Sequence, residues 1–121
     1  MIGYVTVGTN DMTRAAAFYD ALLAEFGAKR GWESERYLAW NFTNGQMLLI
    51  IKPIDGREAT VGNGMMVSLG ATSAAHVDAV YARAIALGAQ DEGPAGPRGD
   101  NFYAGYFRDL DGNKLAVYYA G

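Results

Sequence analysis

Residues 106–119 decide the fold, and they read Tyr-Phe-Arg-Asp-Leu-Asp-Gly-Asn-Lys-Leu-Ala-Val-Tyr-Tyr. Apolar and aromatic residues flank the polar segment 109–113 on both sides, which is typical of two strands joined by a tight turn. Gly112 can adopt backbone angles that other residues avoid, and Asp and Asn side chains can hydrogen-bond to the backbone of a turn. The pattern therefore predicts a hairpin, and it explains Asp109 and Asp111 better as turn residues than as paired functional carboxylates.

An earlier segment repeats this pattern. The apolar runs Tyr37–Phe42 and Met47–Ile51 flank Asn44 and Gly45, and Gly45 takes the place that Gly112 has in the later segment. Asn-Gly is a strong signal for a hairpin with a two-residue turn, because both residues tolerate positive φ. We therefore predict a second strand–turn–strand unit of this kind in the first half of the chain.

Each hairpin is preceded by a strand and a helix. In the first copy, the β-branched segment Met1–Gly8 predicts a strand, Thr9-Asn10-Asp11 resembles a helix N-cap, and Gly27 ends an amphipathic run of apolar residues. In the second copy, the corresponding features are the strand Met65–Leu69, the cap Thr72-Ser73, the helical face Val77–Ile85 and Gly88. Tyr4 thus corresponds to Met66 and Gly27 to Gly88, so the chain contains an internal repeat.

Composition excludes several classes of function. The net charge is -3 and no basic run occurs, so no nucleic-acid partner is expected. No stretch is long and apolar enough for a membrane span, and no signal peptide is evident, so no membrane partner is expected either. The chain has no cysteine, which fits a cytoplasmic location. Its single histidine, His76, is expected to be a solvated helix residue.

The combined motifs resemble a known family. Tyr4-Val-Thr-Val, Asn10-Asp11, Phe18-Tyr19 and Arg108-Asp-Leu-Asp-Gly-Asn113 are similar to the vicinal oxygen chelate superfamily of glyoxalase I, bleomycin resistance proteins and extradiol dioxygenases. The resemblance covers essentially the whole chain. It implies an α+β fold with a single domain, 1–121, built from two βαβββ modules, about 1–56 and 63–121. In this family the modules form a curved mixed sheet around a cavity.

The resemblance also implies a divalent metal, held by side chains from four strands. Those positions fall on Tyr4, Leu49, Met66 and Ala116 in this sequence. Metal sites without thiolates need imidazole or carboxylate ligands, which these positions lack. Moving the alignment by one residue introduces none. We therefore expect no metal and no other cofactor.

Three functions remain open on the sequence: a small-molecule-binding protein of the bleomycin resistance type, a glyoxalase-like lyase or isomerase, and a structural or regulatory homodimer with a closed cavity. For the first, we expect a planar or weakly anionic ligand and a homodimer. Gly93–Asp100 is expected to form an exposed loop, and its Arg98 is a candidate charge partner for the ligand. The candidate ligand-binding residues are Tyr4, Thr6, Trp40, Met66, Ser68, Arg98, Phe102, Tyr103, Tyr106 and Tyr118.

Overall fold

Two units, Met1–Gly62 and Asn63–Gly121, make up the chain in a computed structural model that describes residues 1–121. Each unit has a strand, a helix and three further strands in that order. The predicted α+β class with two βαβββ modules is therefore confirmed. Neither helix is long and apolar enough to cross a membrane.

The first unit contains five main elements, β1 (Tyr4–Gly8), α1 (Met12–Leu23), β2 (Lys29–Glu33), β3 (Tyr37–Asn41) and β4 (Met47–Ile51). Its sheet has the order β1-β4-β3-β2, in which β1 is parallel to β4 and the other pairs are antiparallel. A parallel pair requires a crossover connection, and α1 begins that connection.

The second unit contains β5 (Val67–Gly70), α2 (Ala74–Ala86), β6 (Gln90–Pro97), β7 (Tyr103–Arg108) and β8 (Lys114–Tyr119). Its sheet has the order β5-β8-β7-β6, again with the first and last strands parallel. The two sheets share even the register of their pairs. Thr6 pairs with Leu49 in β1 and β4, and the equivalent residues of the second copy, Ser68 and Ala116, pair in β5 and β8.

The two hairpin turns are also equivalent, but the first differs from the expected two-residue type. The amide of Gly45 donates to the carbonyl of Phe42, and only Gly45 has positive φ, at 88°. This geometry is a three-residue loop that ends in a left-handed glycine. Gly112 repeats it, with φ at 91° and a hydrogen bond to the carbonyl of Asp109. Asn44 therefore keeps negative φ, and the prediction of a two-residue turn was wrong.

Asp109 acts as a turn residue, as its sequence context predicts. Its buried carboxylate accepts hydrogen bonds from the amides of Asp111 and Asn113, both at 2.9 Å, and from the side-chain amide of Asn113, also at 2.9 Å. Buried charges require such partners. This carboxylate therefore stabilises the turn before β8.

The helix ends carry the predicted signals. Asp11 caps α1 by accepting from the amide of Arg14 at 3.0 Å, and Ser73 caps α2 by accepting from the amide of His76 at 3.0 Å. After α1, a 3-10 turn over Ala24–Phe26 leads to Gly27, which is left-handed at φ 69°. His76 serves the cap of α2 as well, because the backbone N–H of Thr72 donates to its Nδ1 at 3.1 Å.

The segment expected to be the loop Gly93–Asp100 is mostly strand. β6 continues to Pro97, with register shifts before and after Gly93. Prolines are tolerated here because β6 is an edge strand and has a neighbour on one side only. The real loop is shorter, and it closes where the amide of Arg98 donates to the carbonyl of Phe102 at 2.7 Å.

A polar network ties α1 to its sheet. The carboxylate of Asp20 accepts from Nε of Arg30 at 2.9 Å, from its terminal nitrogen at 2.6 Å, and from the indole N–H of Trp40 at 2.9 Å. The Trp40 ring is 1% exposed and packs against Tyr19 of α1. The hydrogen bonds from Arg30, the largest influence, lower the pKa of Asp20 against the opposing effect of burial.

We predict that Asp20→Ala destabilises the protein more than Asp20→Asn, because only the amide can still accept from the buried Trp40. Losing the acceptor costs about 1–3 kcal/mol, whereas the half-exposed ion pair with Arg30 contributes less than about 1 kcal/mol. Since the pKa of Asp20 is lowered on folding, the ion-pair contribution is present at neutral pH. It declines as the pH falls below about 4 and through the lower pKa of the folded state. Urea unfolding at several pH values measures this, with the exposed Asp100→Asn as control. Equal losses for both variants at neutral pH would contradict the account.

Candidate functional site

Each sheet carries its unit's helix on one face, and we call the opposite face the helix-free face. In the second unit, the hydroxyl of Tyr103 donates to Asp78 of α2 at 2.7 Å, and a Cβ on Gly105 would lie 3.0 Å from the ring of Tyr81 of α2. Tyr103 and Gly105 therefore face the helix, and strand alternation sends their neighbours to the other side. The side chains of the helix-free face in β7 and β8 are Ala104, Tyr106, Arg108, Lys114, Ala116 and Tyr118.

Tyr106 is the centre of this face. The guanidinium carbon of Arg98 lies 5.5 Å from the centroid of its ring, and the ammonium of Lys114 lies 5.8 Å from the same centroid. Both distances are within the range of cation–π attraction. Two positive charges are thus gathered around one aromatic ring.

An aromatic pair stands beside this cluster. Phe102 and Tyr118 are stacked, with ring centroids 5.6 Å apart and planes at 18°. The neighbouring strand β5 has no side chain at this point, because Gly70 pairs with Tyr118. The Tyr118 ring lies over this glycine, where a Cβ would be 3.8 Å from it. Phe102 remains 37% exposed, so the stack presents an aromatic surface that other molecules can reach.

The charges of this face are not balanced. Arg108 forms an ion pair with Glu92, at 2.6 Å from Nε to Oε1, and also donates to the carbonyl of Gly112 at 2.9 Å. No carboxylate pairs with Arg98 or with Lys114. The face consequently carries two cations whose charge no side chain of the face neutralises.

The helix-free face of the first unit is different. Thr6 pairs with Leu49, and Leu49 pairs with Ala39, so these three side chains point to the same face. The residue after Ala39 is the helix-facing Trp40, so this shared face is the helix-free one. Tyr4 lies on the same side by alternation and meets the exposed Trp32 edge to face, with centroids 6.0 Å apart. This face offers hydroxyls and aromatic rings without clustered charge.

Two predicted ligand-binding residues lie elsewhere. Trp40 is buried against α1, where its indole N–H is bonded to Asp20, so it does not reach a helix-free face. Tyr103 points to α2, and its hydrogen bond to the Asp78 carboxylate, which stabilises the neutral phenol, raises its pKa. Met66 immediately precedes β5 and is 44% exposed. Five of the other candidates lie on a helix-free face: Tyr4, Thr6, Ser68, Tyr106 and Tyr118. The remaining two, Arg98 and Phe102, border the helix-free face of the second unit.

Sequence reasoning missed two residues that the structure adds to these faces. Lys114 shares the alternation of Ala116 and Tyr118, and this signal could have placed it beside Tyr106. Trp32 lies in the strand with the weakest pattern, and only the register shift between β2 and β3 brings it to Tyr4. No sequence signal fixes such a shift.

The residues at the expected metal positions do not suit a divalent cation. Tyr4 offers a phenol, Met66 a thioether, and Leu49 and Ala116 offer no donor atom. Nowhere among residues 1–121 do three or more His, Asp or Glu side chains gather closely enough to hold a metal. Glu92, a carboxylate that borders the cationic face, already binds Arg108.

A cavity of about 280 Å³ lies apart from these faces, in the first unit. Its wall is held by Asn10, whose amide accepts from the backbone N–H of Ala59 at 2.7 Å and donates to its carbonyl at 3.0 Å. Lys52, Arg57 and Glu58 supply mixed charges around it. No aromatic residue lines this cavity, and its two cations and one carboxylate leave an excess of a single positive charge.

Comparison with known proteins places the geometry in context. The model of the Glyoxalase/Bleomycin resistance protein/Dioxygenase superfamily matches residues 1–117. A glyoxalase/bleomycin resistance protein from Albidiferax ferrireducens is 36% identical, with 100% of this chain and 99% of that chain covered and a TM-score of 0.92. No curated protein matches the chain.

Two further solved structures share the fold at lower identity. A lactoylglutathione lyase from Agrobacterium tumefaciens is 25% identical, with 98% of this chain and 92% of that chain covered and a TM-score of 0.72. A glyoxalase-related enzyme from Fulvimarina pelagi is 22% identical, with 98% and 86% covered and a TM-score of 0.77.

We predict that the purified protein does not retain stoichiometric zinc, nickel, iron or manganese, because the expected ligand positions lack suitable donors. Elemental analysis after dialysis measures this. About one metal ion per chain in the unaltered protein would contradict the account.

Proposed function

Because the chain belongs to the Glyoxalase/Bleomycin resistance protein/Dioxygenase superfamily, we propose that it is a small-molecule-binding protein of that group that works without a divalent metal. The observation that carries this proposal is the contact of one ring, Tyr106, with two cations that have no carboxylate partner. Two cations without carboxylate partners both attract an anion, and their attractions add where it binds within reach of both. The cluster is therefore suited to receive an anionic group.

The aromatic residues define the rest of the ligand. Phe102 and Tyr118 offer stacked rings beside the cationic cluster, and the hydroxyl of Ser68 lies on the same face of the sheet. Offset stacking of a planar group on such rings is favourable, and a hydroxyl can orient polar atoms of the ligand. We infer a small planar molecule that carries a negative charge at one end.

The competing functions have less support. A lyase or isomerase needs a positioned acid or base or a metal, and Glu92, a carboxylate that borders this face, is occupied by Arg108. A purely structural role gives no purpose to two cations that lie on one ring without a carboxylate partner. Binding therefore accounts for the face better than either alternative.

Two further properties belong to the proposal. We propose that the protein acts in the cytoplasm, which the absence of cysteine supports. We also propose a homodimer, because large apolar side chains such as Ile2, Trp32 and Met65 are more than half exposed. Association would remove these side chains from water.

We predict that a planar acid such as benzoate stabilises the protein against heat, whereas the neutral benzamide does so less. A ligand at about 100 times its Kd adds about 2.7 kcal/mol to the folded state, enough to raise the melting temperature by several degrees. Tyr106→Leu should abolish most of the stabilisation by benzoate, and Arg83→Gln on α2 should leave it unchanged. Thermal-shift assays measure both. Equal stabilisation of unaltered protein and Tyr106→Leu would place the ligand elsewhere.

We predict a homodimer in solution that buries more than about 1,000 Å² in total, the usual minimum for a specific interface. Light scattering coupled to size exclusion, at tens of micromolar protein, should give about twice the mass of the chain. Trp32→Glu places a charge on an exposed apolar position. If the dimer interface covers Trp32, this variant should weaken the dimer. A monomer in the unaltered protein would contradict the prediction.

A further inference from the structure

The two cations around Tyr106 differ in how many of their hydrogen-bond donors are already used. One terminal nitrogen of Arg98 donates to the carbonyls of Gly96 at 3.1 Å and Pro97 at 3.3 Å, and the other donates to the carbonyl of Pro94 at 2.6 Å. A guanidinium has five N–H groups, so three of them hold the side chain against the strand that precedes it. Arg98 is thus anchored to β6.

Lys114 is not anchored in this way. Its ammonium has no hydrogen bond and no ion pair, and its one polar contact is the face of Tyr106 at 5.8 Å. Opposite it in β7, Arg108 is neutralised by Glu92. Lys114 therefore retains all three donors of its ammonium for a ligand.

These two environments point to a ligand with two negative charges. The Arg98 guanidinium and the Lys114 ammonium each lie close to one ring centroid, and no carboxylate pairs with either. A single charge on the ligand would neutralise one of them and leave the other, whereas a dianion matches both. Charge-assisted hydrogen bonds to the ammonium would be short and strong.

We propose that the ligand is a small organic dianion, such as a phosphate monoester, and that Lys114 is its direct contact. Arg98 is a positioning residue, which holds the edge strand and the Tyr106 ring in place while its charge acts over a longer distance. This inference rests on the proposed function of the same face. It adds the charge class of the ligand and separates the roles of the two cations.

The test compares three probes that share one ring, phenyl phosphate, benzoate and benzamide, by calorimetric titration at low salt and about pH 8. The phosphate carries nearly two charges there, because its second pKa is about 6. We expect phenyl phosphate to bind about tenfold or more tighter than benzoate, the usual effect of one added charge-assisted contact. At about pH 5, where the same probe has lost most of its second charge, this preference should shrink.

Variants separate the roles of the two residues. Lys114→Gln should reduce the preference for phenyl phosphate over benzoate to a fewfold or less, while benzamide binding changes little. Arg98→Lys keeps the charge and loses the fork that holds the three carbonyls, so it should weaken all three probes by a similar factor and keep the preference. Lys52→Gln, a lysine of the first unit, is the matched control and should change nothing.

The outcomes are distinguishable. If none of the three probes binds the unaltered protein, the proposed function of the face is wrong, and this inference falls with it. If benzoate and phenyl phosphate bind equally well, the face binds anions but the dianion inference is wrong. If the preference survives Lys114→Gln and disappears in Arg98→Lys, the assignment of the two roles is overturned.

Discussion

One constraint underlies the whole structure: a single helix covers only one face of a four-stranded sheet. The parallel pairing of β1 with β4, and of β5 with β8, requires each first strand to be followed by a crossover, and in each unit that crossover begins with the helix. The side chains between helix and sheet are buried, as Trp40, Val80 and Phe107 illustrate with 0–1% exposure. Because side chains alternate along each strand, every second residue points to the helix-free face.

The two units show that the same backbone can carry different chemistry. Their strand registers are equivalent, so the pair Ala39 and Leu49 in the first unit corresponds to Tyr106 and Ala116 in the second. The first residues of β4 and β8 are also equivalent, and they are Met47 and Lys114. The large ring and the free cation therefore occur on one copy only. The proposed function therefore depends on side chains placed on a repeated scaffold, in line with the general independence of fold and function.

The fold was more predictable from the sequence than the site. The caps Asp11 and Ser73, the glycines after the helices and the hairpin turns act over a few residues and occur twice, so local patterns identify them. The site depends on which face of a strand each side chain takes, and a one-residue difference reverses that face. Trp40 and Tyr103 were assigned to a ligand pocket as aromatics, yet both face helices, where aspartates hold them. Lys114 was overlooked, because its importance depends on the absence of an ion pair, which follows only from knowing every neighbouring side chain.

We propose that the helix-free face of the second unit binds an organic anion. The most direct measurement is a nuclear magnetic resonance titration of the labelled protein with phenyl phosphate, which reports the position of the ligand residue by residue. We expect shift changes concentrated at Tyr106, Lys114 and Tyr118, with little change along α2. Changes centred on α2, or on the cavity lined by Lys52 and Arg57, with Tyr106 unaffected, would contradict it.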